Sequence, residues 1–394
     1  MSLSEAHMSI YMDYAATTPV DPRVIKAMQP YFSEEYGNTM SLHKQGRTAK
    51  QALEQARKTV AELMNAQPNE FIFTGSATEA NNMVIKGVAY ANKNKGKHII
   101  TSAIEHNCIL EPARWLEEQG YEITRLPVDK HGLVNITKLE DTIRKDTVLV
   151  SIMHANNEIG TIQDVKEIGK ICKEKNVYFH SDAAQSFGKI PIDVKTMNID
   201  LLSVSSHKMY GPKGVGGLYI KKGTKIEPLL HGGGHEFHKR ASTINVAGVV
   251  GFAEAAKIQQ KEMTSDAQKQ TKLRDKMMNK ILTIEDSHLN GHPTQRLPNN
   301  TNFWFAYIEG ESLLLHLDMK SISASTGSAC SSNELAASHV LLAIGLKPQE
   351  AHGSLRLSLG KYTTEEGVNY VLESVPKAVE QLRKISPFKK GWKQ

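Results

Sequence analysis

A lysine stands near the middle of the chain between small hydroxyl residues and a tight turn, in Ser206-His207-Lys208-Met209-Tyr210-Gly211-Pro212. An apolar run from Ile199 to Val204 leads into it, and a glycine-rich stretch from Gly214 to Gly217 follows. A lysine held at a strand end and partly desolvated loses its proton near neutral pH and attacks an aldehyde. Asp182 ends what reads as a buried strand, and a carboxylate there needs a partner: a pyridinium nitrogen, or the amides of a helix that it caps. Gly75-Ser76-Ala77-Thr78 closes a strand and opens a helix, so its N–H groups converge on a spot suited to a phosphate or to a plain cap. His106, beside Glu105, has the chemistry to stack on a ring or move protons. An amine for an aldehyde, a carboxylate for a ring nitrogen and a cradle for a phosphate together describe a pyridoxal phosphate site.

Elements able to gather these residues alternate along the chain. Strands are predicted at Phe71–Thr74, His98–Ser102, Tyr121–Leu126, Val148–Met153 and Val177–His180. Helical spacing covers Ala77–Ala91, a stretch through Leu116, and Val165–Lys175. Thr137, with Glu140 three residues on, reads as a helix start. Such alternation means a mainly parallel sheet covered by helices on both faces, with ligands beyond the carboxyl ends of its strands. Polar clusters fall at five of those ends, adding Asn156-Asn157-Glu158, Ser181 to Gln185, and Ser205 to Lys208 to the two already named. A long helical connector from Val246 to about Leu282 leads into a second α+β region closed by a helix over Thr364–Ile385.

Bulk properties permit an enzyme of two domains: 394 residues, 40% hydrophobic and 23% charged. No apolar stretch reaches the roughly 18–20 residues of a membrane span, and no leader pattern opens the chain, so a cytoplasmic protein is expected. Met8 could be the natural start. The net charge of +6 comes from scattered lysines with runs at Lys93–Lys97 and Lys389–Lys393, which read as solvated surface and tail rather than a nucleic-acid footprint. His231-Gly232-Gly233-Gly234 has no G-x-S-x-G elbow to serve, and His235-Glu236 is followed by Lys239 where a zinc-protease helix needs its second histidine. No metal site is expected.

Three cysteines are too few and too far apart for a disulfide framework. Cys108 and Cys172 lie in helical patterns and are expected to be inert core residues. Cys330 sits among small residues, Ser323 to Asn333, in what reads as an exposed loop, where a thiol is a liability unless it is used.

Asp13-Tyr14-Ala15-Ala16-Thr17-Thr18-Pro19, Ala77-Thr78-Glu79, Glu105-His106, His154 to Gly160, Asp182-Ala183-Ala184-Gln185, Ser205-Ser206-His207-Lys208, His231 to Glu236, Gly327-Ser328-Ala329-Cys330 and Arg356 to Gly360 resemble, in the same order, the motifs of cysteine desulfurases. The chain resembles the NifS/IscS-like branch of this class V aminotransferase group, which feeds iron–sulfur cluster assembly.

The resemblance implies an α/β fold type I pyridoxal-phosphate-dependent transferase acting as a homodimer. Residues 15–260 would form the large cofactor-binding domain, and residues 1–14 with 261–394 a small domain carrying the catalytic cysteine. Lys208 would bond the cofactor and shuttle protons, His106 would stack on the ring and assist acid–base steps, Asp182 would pair with the ring nitrogen and Gln185 with the phenolic oxygen. Ala77, Thr78, Ser205 and His207 would hold the phosphate, joined by Thr243 from the second subunit. Asn157, also placed against the cofactor, and Arg356 would bind the carboxylate of the substrate L-cysteine.

Cys330 would then take the substrate's sulfur, leaving alanine and a persulfide for an iron–sulfur scaffold or another acceptor, with a transient role as a ligand to the scaffold's cluster. Local departures are Gly37-Asn38-Thr39-Met40-Ser41, Gly75-Ser76-Ala77 and Arg240-Ala241-Ser242-Thr243, none of which removes a catalytic group. A different reaction on the same cofactor, such as a β-lyase or selenocysteine lyase, would differ in not needing Cys330. A non-catalytic scaffold would show no cofactor absorption.

Overall fold

The computed structural model describes residues 9–326 and 337–387. Its strands are β1 (Ile10–Tyr11), β2 (Phe71–Thr74), β3 (His98–Ser102), β4 (Glu122–Leu126), β5 (Thr147–Ser151), β6 (Tyr178–Asp182), β7 (Leu201–Ser205), β8 (Gly216–Ile220), β9 (Ser287–Leu289), β10 (Asn300–Phe305), β11 (Ile322–Ser323) and β12 (Ser354–Ser358). Seven of them form the central sheet in the order β2-β8-β7-β6-β5-β3-β4. All its pairs are parallel except those of β8, which runs antiparallel to both neighbours. The fold is α/β, as the alternation implies.

The strands are short and, apart from the partly exposed edge strand β4, buried on both sides because helices cover both faces. Side chains alternate with a period of two, so neighbours in one strand enter different cores. Phe71, Phe73, Ile100, Val150, Phe179, Leu202 and Val204 pack toward helices Lys44–Glu62, Val165–Glu174 and the first half of Val246–Ile281. Ile72, Ile99, Leu149, Leu201 and Leu218 pack the other way, against helices Ala77–Ala91 and Asn107–Glu118. Phe179 has no exposed surface, and its truncation to Ala would cost about 3–5 kcal/mol.

A second apolar core lies around the antiparallel sheet β12-β10-β9. Helix Glu365–Ile385, capped by Thr364, lays Val368, Val371, Leu372, Val375, Val379 and Leu382 onto it at helical spacing. Helix Val246–Ile281 contributes to both cores, through Val249, Phe252 and Ala256 at one end and Leu273, Met277 and Ile281 at the other. Ile10 and Met12 also belong to this second core, where β1 pairs in parallel with β11.

Some expected boundaries shift. The helix expected to start at Thr137 is capped by Asn135, whose side chain accepts from the Lys138 amide. Asn two residues earlier is as good an acceptor as Thr, so the local sequence offered two caps. The strand expected at Val177–His180 runs over Tyr178–Asp182, which makes Asp182 its last residue. Among the described residues no helix is long and apolar enough to cross a membrane.

Candidate active site

β4 and β5 leave β3 on opposite sides, so the sheet has a switch point where a crevice opens beyond the carboxyl ends of its strands. A cavity of about 330 Å3 lies there. Ala77 and Thr78 reach it from the end of β2, His106 from β3, Asn157 from β5, and Asp182 with Gln185 from β6. Ser205, His207 and Lys208 line it from β7, and Arg356 crosses from β12 of the smaller sheet. A more open depression of about 420 Å3 between helices Ala77–Ala91 and Asn107–Glu118 shares Thr78, His106 and Cys108 with it. Thr243 is exposed and outside the cavity lining. Cys330 and the Lys389–Lys393 run lie outside the described residues.

Lys208 ends a short turn after β7, and its Nζ donates to the carbonyls of Ala15 at 2.7 Å and Ala16 at 2.6 Å. The segment bearing those carbonyls is fastened beside it, since the Thr18 amide and hydroxyl both donate to the His207 carbonyl at 3.0 Å. Burial pushes the His207 ring down to about 4, with Lys208, Lys213 and Lys189 adding, so the ring is neutral at pH 7. Thr17 Oγ1 lies 3.1 Å from His207 Nδ1.

Asp182 is 5% exposed, and of the two expected uses of a strand-end carboxylate the structure shows the cap. Its Oδ1 accepts from the Ala184 amide at 2.8 Å, which caps the turn, while Oδ2 accepts from Asn81 at 2.7 Å and borders the cavity. His106 caps helix Asn107–Glu118 through its ring: Nδ1 accepts from the Cys108 amide at 3.1 Å. A neutral ring bonded in this way carries its proton on Nε2. Burial depresses its pKa against the pull of Asp182, with Lys208 and His339 pushing the same way as burial.

Arg356 is 3% exposed. One guanidinium nitrogen donates to Asp13 at 2.9 Å and another to the Asn157 carbonyl at 3.0 Å, while Nε has no partner among the described residues. An orphaned donor on a buried cation at a cavity wall is a place for an anion. Glu158 next to it is pushed up to about 7 by burial, opposed by the Ser338 hydroxyl, which donates at 2.6 Å, and by Arg356.

Cys108 is buried as expected, and burial, with Asp182 adding, raises its thiol pKa. It does more than pack, since its Sγ lies 2.9 Å from His106 Nδ1 and accepts from Asn81 at 2.9 Å, at the cavity wall. Helical spacing placed it on the buried side but did not show what that side faces. Cys172, fully buried in the core, behaves as expected. One expectation needs correction: not all four amides of Gly75 to Thr78 face one ligand, because the Gly75 N–H donates to Glu79 at 2.8 Å. Glu79 in turn pairs with Arg240 at 2.8 Å. The turn from Ser76 to Thr78 is left to line the cavity.

Asn81 escaped the sequence reading, although a signal was present. It sits fully buried beside Val84, Ile85 and Val88 on an otherwise apolar helix face, and a buried amide there must have a partner. Among the described residues no group of three or more His, Cys, Asp or Glu could hold a metal ion.

The segment from His231 to Thr243 is pinned differently. Glu236, Phe237 and His238 take successive left-handed backbone angles, φ 47°, 56° and 60°. They are held by Glu236, which accepts from both Arg57 Nη atoms at 2.7 and 2.8 Å and from the Phe73 amide at 2.6 Å.

Residues 10–371 match the family described as Aminotransferase class-V. A protein named cysteine desulfurase IscS from Dictyoglomus turgidum is 53% identical over 98% of this chain and 98% of its own. One of the same name from Methanosarcina thermophila is 54% identical over 98% of this chain and 96% of its own. A solved structure described as a NifS-like protein superposes with a TM-score of 0.90 at 40% identity, over 95% of this chain and 100% of that one.

Proposed function

From the premise that this chain belongs to the class V aminotransferase family, we infer that it is a cysteine desulfurase of the NifS/IscS-like kind. One observation carries the reading within the chain: the strand-end groups that chemistry requires, Lys208 among them, line a single cavity.

Pyridoxal phosphate suits this donor set. The first turn of helix Ala77–Ala91 offers amides without intrahelical partners, and Ser205 and His207 stand beside it, a setting for the phosphate. Asp182, kept in place by Asn81 and the Ala184 amide, suits a protonated ring nitrogen. Gln185 suits the phenolic oxygen, and the His106 ring suits one face. When bound, the cofactor supplies the electron sink that loosens the Cβ–S bond of the substrate.

The protein's own groups supply the rest. Lys208 is the amine that holds the cofactor and moves protons. His106, neutral with its proton on Nε2, is the group set to exchange a proton on the cavity side. Arg356, with its unused Nε, takes the substrate carboxylate together with Asn157. The Cys330 thiolate takes the sulfur as the Cβ–S bond breaks, which leaves alanine and a persulfide. Transfer from there to an iron–sulfur scaffold or another acceptor completes the role, in the cytoplasm.

A homodimer accompanies this reading. Exposed Phe32, Tyr36, Met40 and Leu42 form an apolar surface suited to a second copy, and Thr243, outside its own cavity, would then serve the partner's phosphate. Domains of residues 15–260 and of 1–14 with 261–394 fit the apolar cores on the faces of the central sheet and the one around β12-β10-β9, while Ile104, Met153 and Ile159 pack with Val340, Leu341 and Ile344 across that division.

The test is an assay of the cofactor-loaded protein with L-cysteine. Alanine and sulfide should appear in equal amounts under a thiol reductant. Cys330→Ala should lose them by about 10²-fold or more while still binding cofactor. Full turnover by that variant would replace the desulfurase reading with a β-lyase.

A further inference from the structure

Lys189 is a cation that the reading above does not use. It follows Gly188, whose φ of +74° and close approach to Met209, 3.1 Å from where a Cβ would stand, turn the chain back beneath Gln185. Its Nζ donates to Gln185 Oε1 at 3.3 Å. Among the described residues no carboxylate bonds to it; the charged neighbours that act on it are Lys208 and Arg356, and it acts in turn on His207. Burial, with those two cations adding, pushes its pKa down to about 7.

A hydrogen-bonded path links this lysine to the reacting one. Gln185 receives Lys189 on Oε1 and donates from Nε2 to the Ala15 carbonyl at 2.9 Å. The same carbonyl accepts from Lys208 Nζ at 2.7 Å. An amide side chain has two ends of similar shape, and either could face the cavity. A donor on Oε1 settles which does: oxygen toward Lys189, NH2 toward Ala15 and the cavity.

We propose that Lys189 is a positioning residue of the active site, fixing the amide of Gln185 so that its NH2 is presented to the phenolic oxygen of the cofactor and to the carbonyl that holds Lys208. The inference rests on the cofactor reading given above. Arg in place of Lys189 keeps a donor for Oε1; Met keeps the bulk and removes it.

Titration of apoprotein with pyridoxal phosphate, followed by absorbance, reads the cofactor dissociation constant and the position of the bound band. Lys189→Met should weaken binding about five- to tenfold, the effect of one lost hydrogen bond, and shift the band. Lys189→Arg should restore both to within about twofold. Gln185→Ala combined with Lys189→Met should be no worse than Gln185→Ala alone, because one residue acts through the other. Lys189→Leu, shorter and without a donor, replaces the Met variant if that one does not fold. Unchanged affinity and band in the Met variant, or additive losses in the double variant, would overturn the proposal. Wild-type apoprotein that binds no cofactor would instead sink the cofactor reading itself, before any variant is compared.

Discussion

Asp182 and Glu236 are both buried carboxylates, and they are surrounded in opposite ways. Glu236 is closed off: two arginine nitrogens and a backbone amide take its oxygens, and the arginine itself is 2% exposed. Asp182 accepts from one backbone amide, one asparagine and, at 3.9 Å, the Cys108 thiol, and still borders a cavity. No full positive charge hydrogen-bonds to it among the described residues. A carboxylate paired with a guanidinium on both oxygens maintains a shape. One supported only by neutral donors leaves room for a further partner. Burial alone does not separate the two; the identity of the donors does.

The largest effect should come from Lys208→Ala, which empties the cavity of its amine and leaves the Glu236 clamp untouched. Turnover should drop by about 10³-fold or more, with the urea unfolding midpoint close to wild type. Glu236→Ala should do the reverse. Leaving Arg57 buried without its partner costs about 3–5 kcal/mol, readable by urea denaturation. Cofactor-loaded molecules that remain folded should keep cavity chemistry. If Glu236→Ala spared stability, the distinction between the two carboxylates would be wrong.

Asp182→Asn should lower turnover about 10²-fold while changing stability little, because an amide oxygen can still accept from Ala184. A smaller signal comes from pH. Glu158 is pushed up to about 7 from 4.5 by burial, so its neutral form is the one the fold favours. The stability this gives is fully present below about pH 4.5 and is lost as pH rises through about 7. Glu158→Gln should flatten that decline in a series of urea melts. Glu54, half exposed beside the same Arg57, should matter least: Glu54→Ala should cost less than about 0.5 kcal/mol.

Much of the cavity is legible in the sequence because each strand end carries its own polar cluster, and strand ends in a parallel sheet share one rim. Lys208, Asp182 and His106 could be placed on that rim from local patterns. Asn81, Cys108 and Lys189 could not. Each lies in a stretch whose periodicity shows only that a side is buried, and what it meets there belongs to another element. Asn135 displaced Thr137 as a cap because adjacent residues offered equivalent acceptors, which is where boundary readings are weakest. Glu79, which takes the Gly75 amide four residues away, is itself held by Arg240 161 positions on, and nothing local announces that partner.

The amino-terminal segment has a consequence for how the protein is made. Asp13 pairs with Arg356 across 343 positions, and Ile10 lies alongside Ile322. A ribosome that has released the first 260 residues has delivered every strand of the central sheet, and that part can fold first. The peptide carrying Ala15 and Ala16, which must hold Lys208, still lacks the strand that anchors its other end. Residues 10–16 leave the exit tunnel long before β12 yet are among the last to reach their place, and newly made protein gains a finished catalytic cavity only after β12 has emerged.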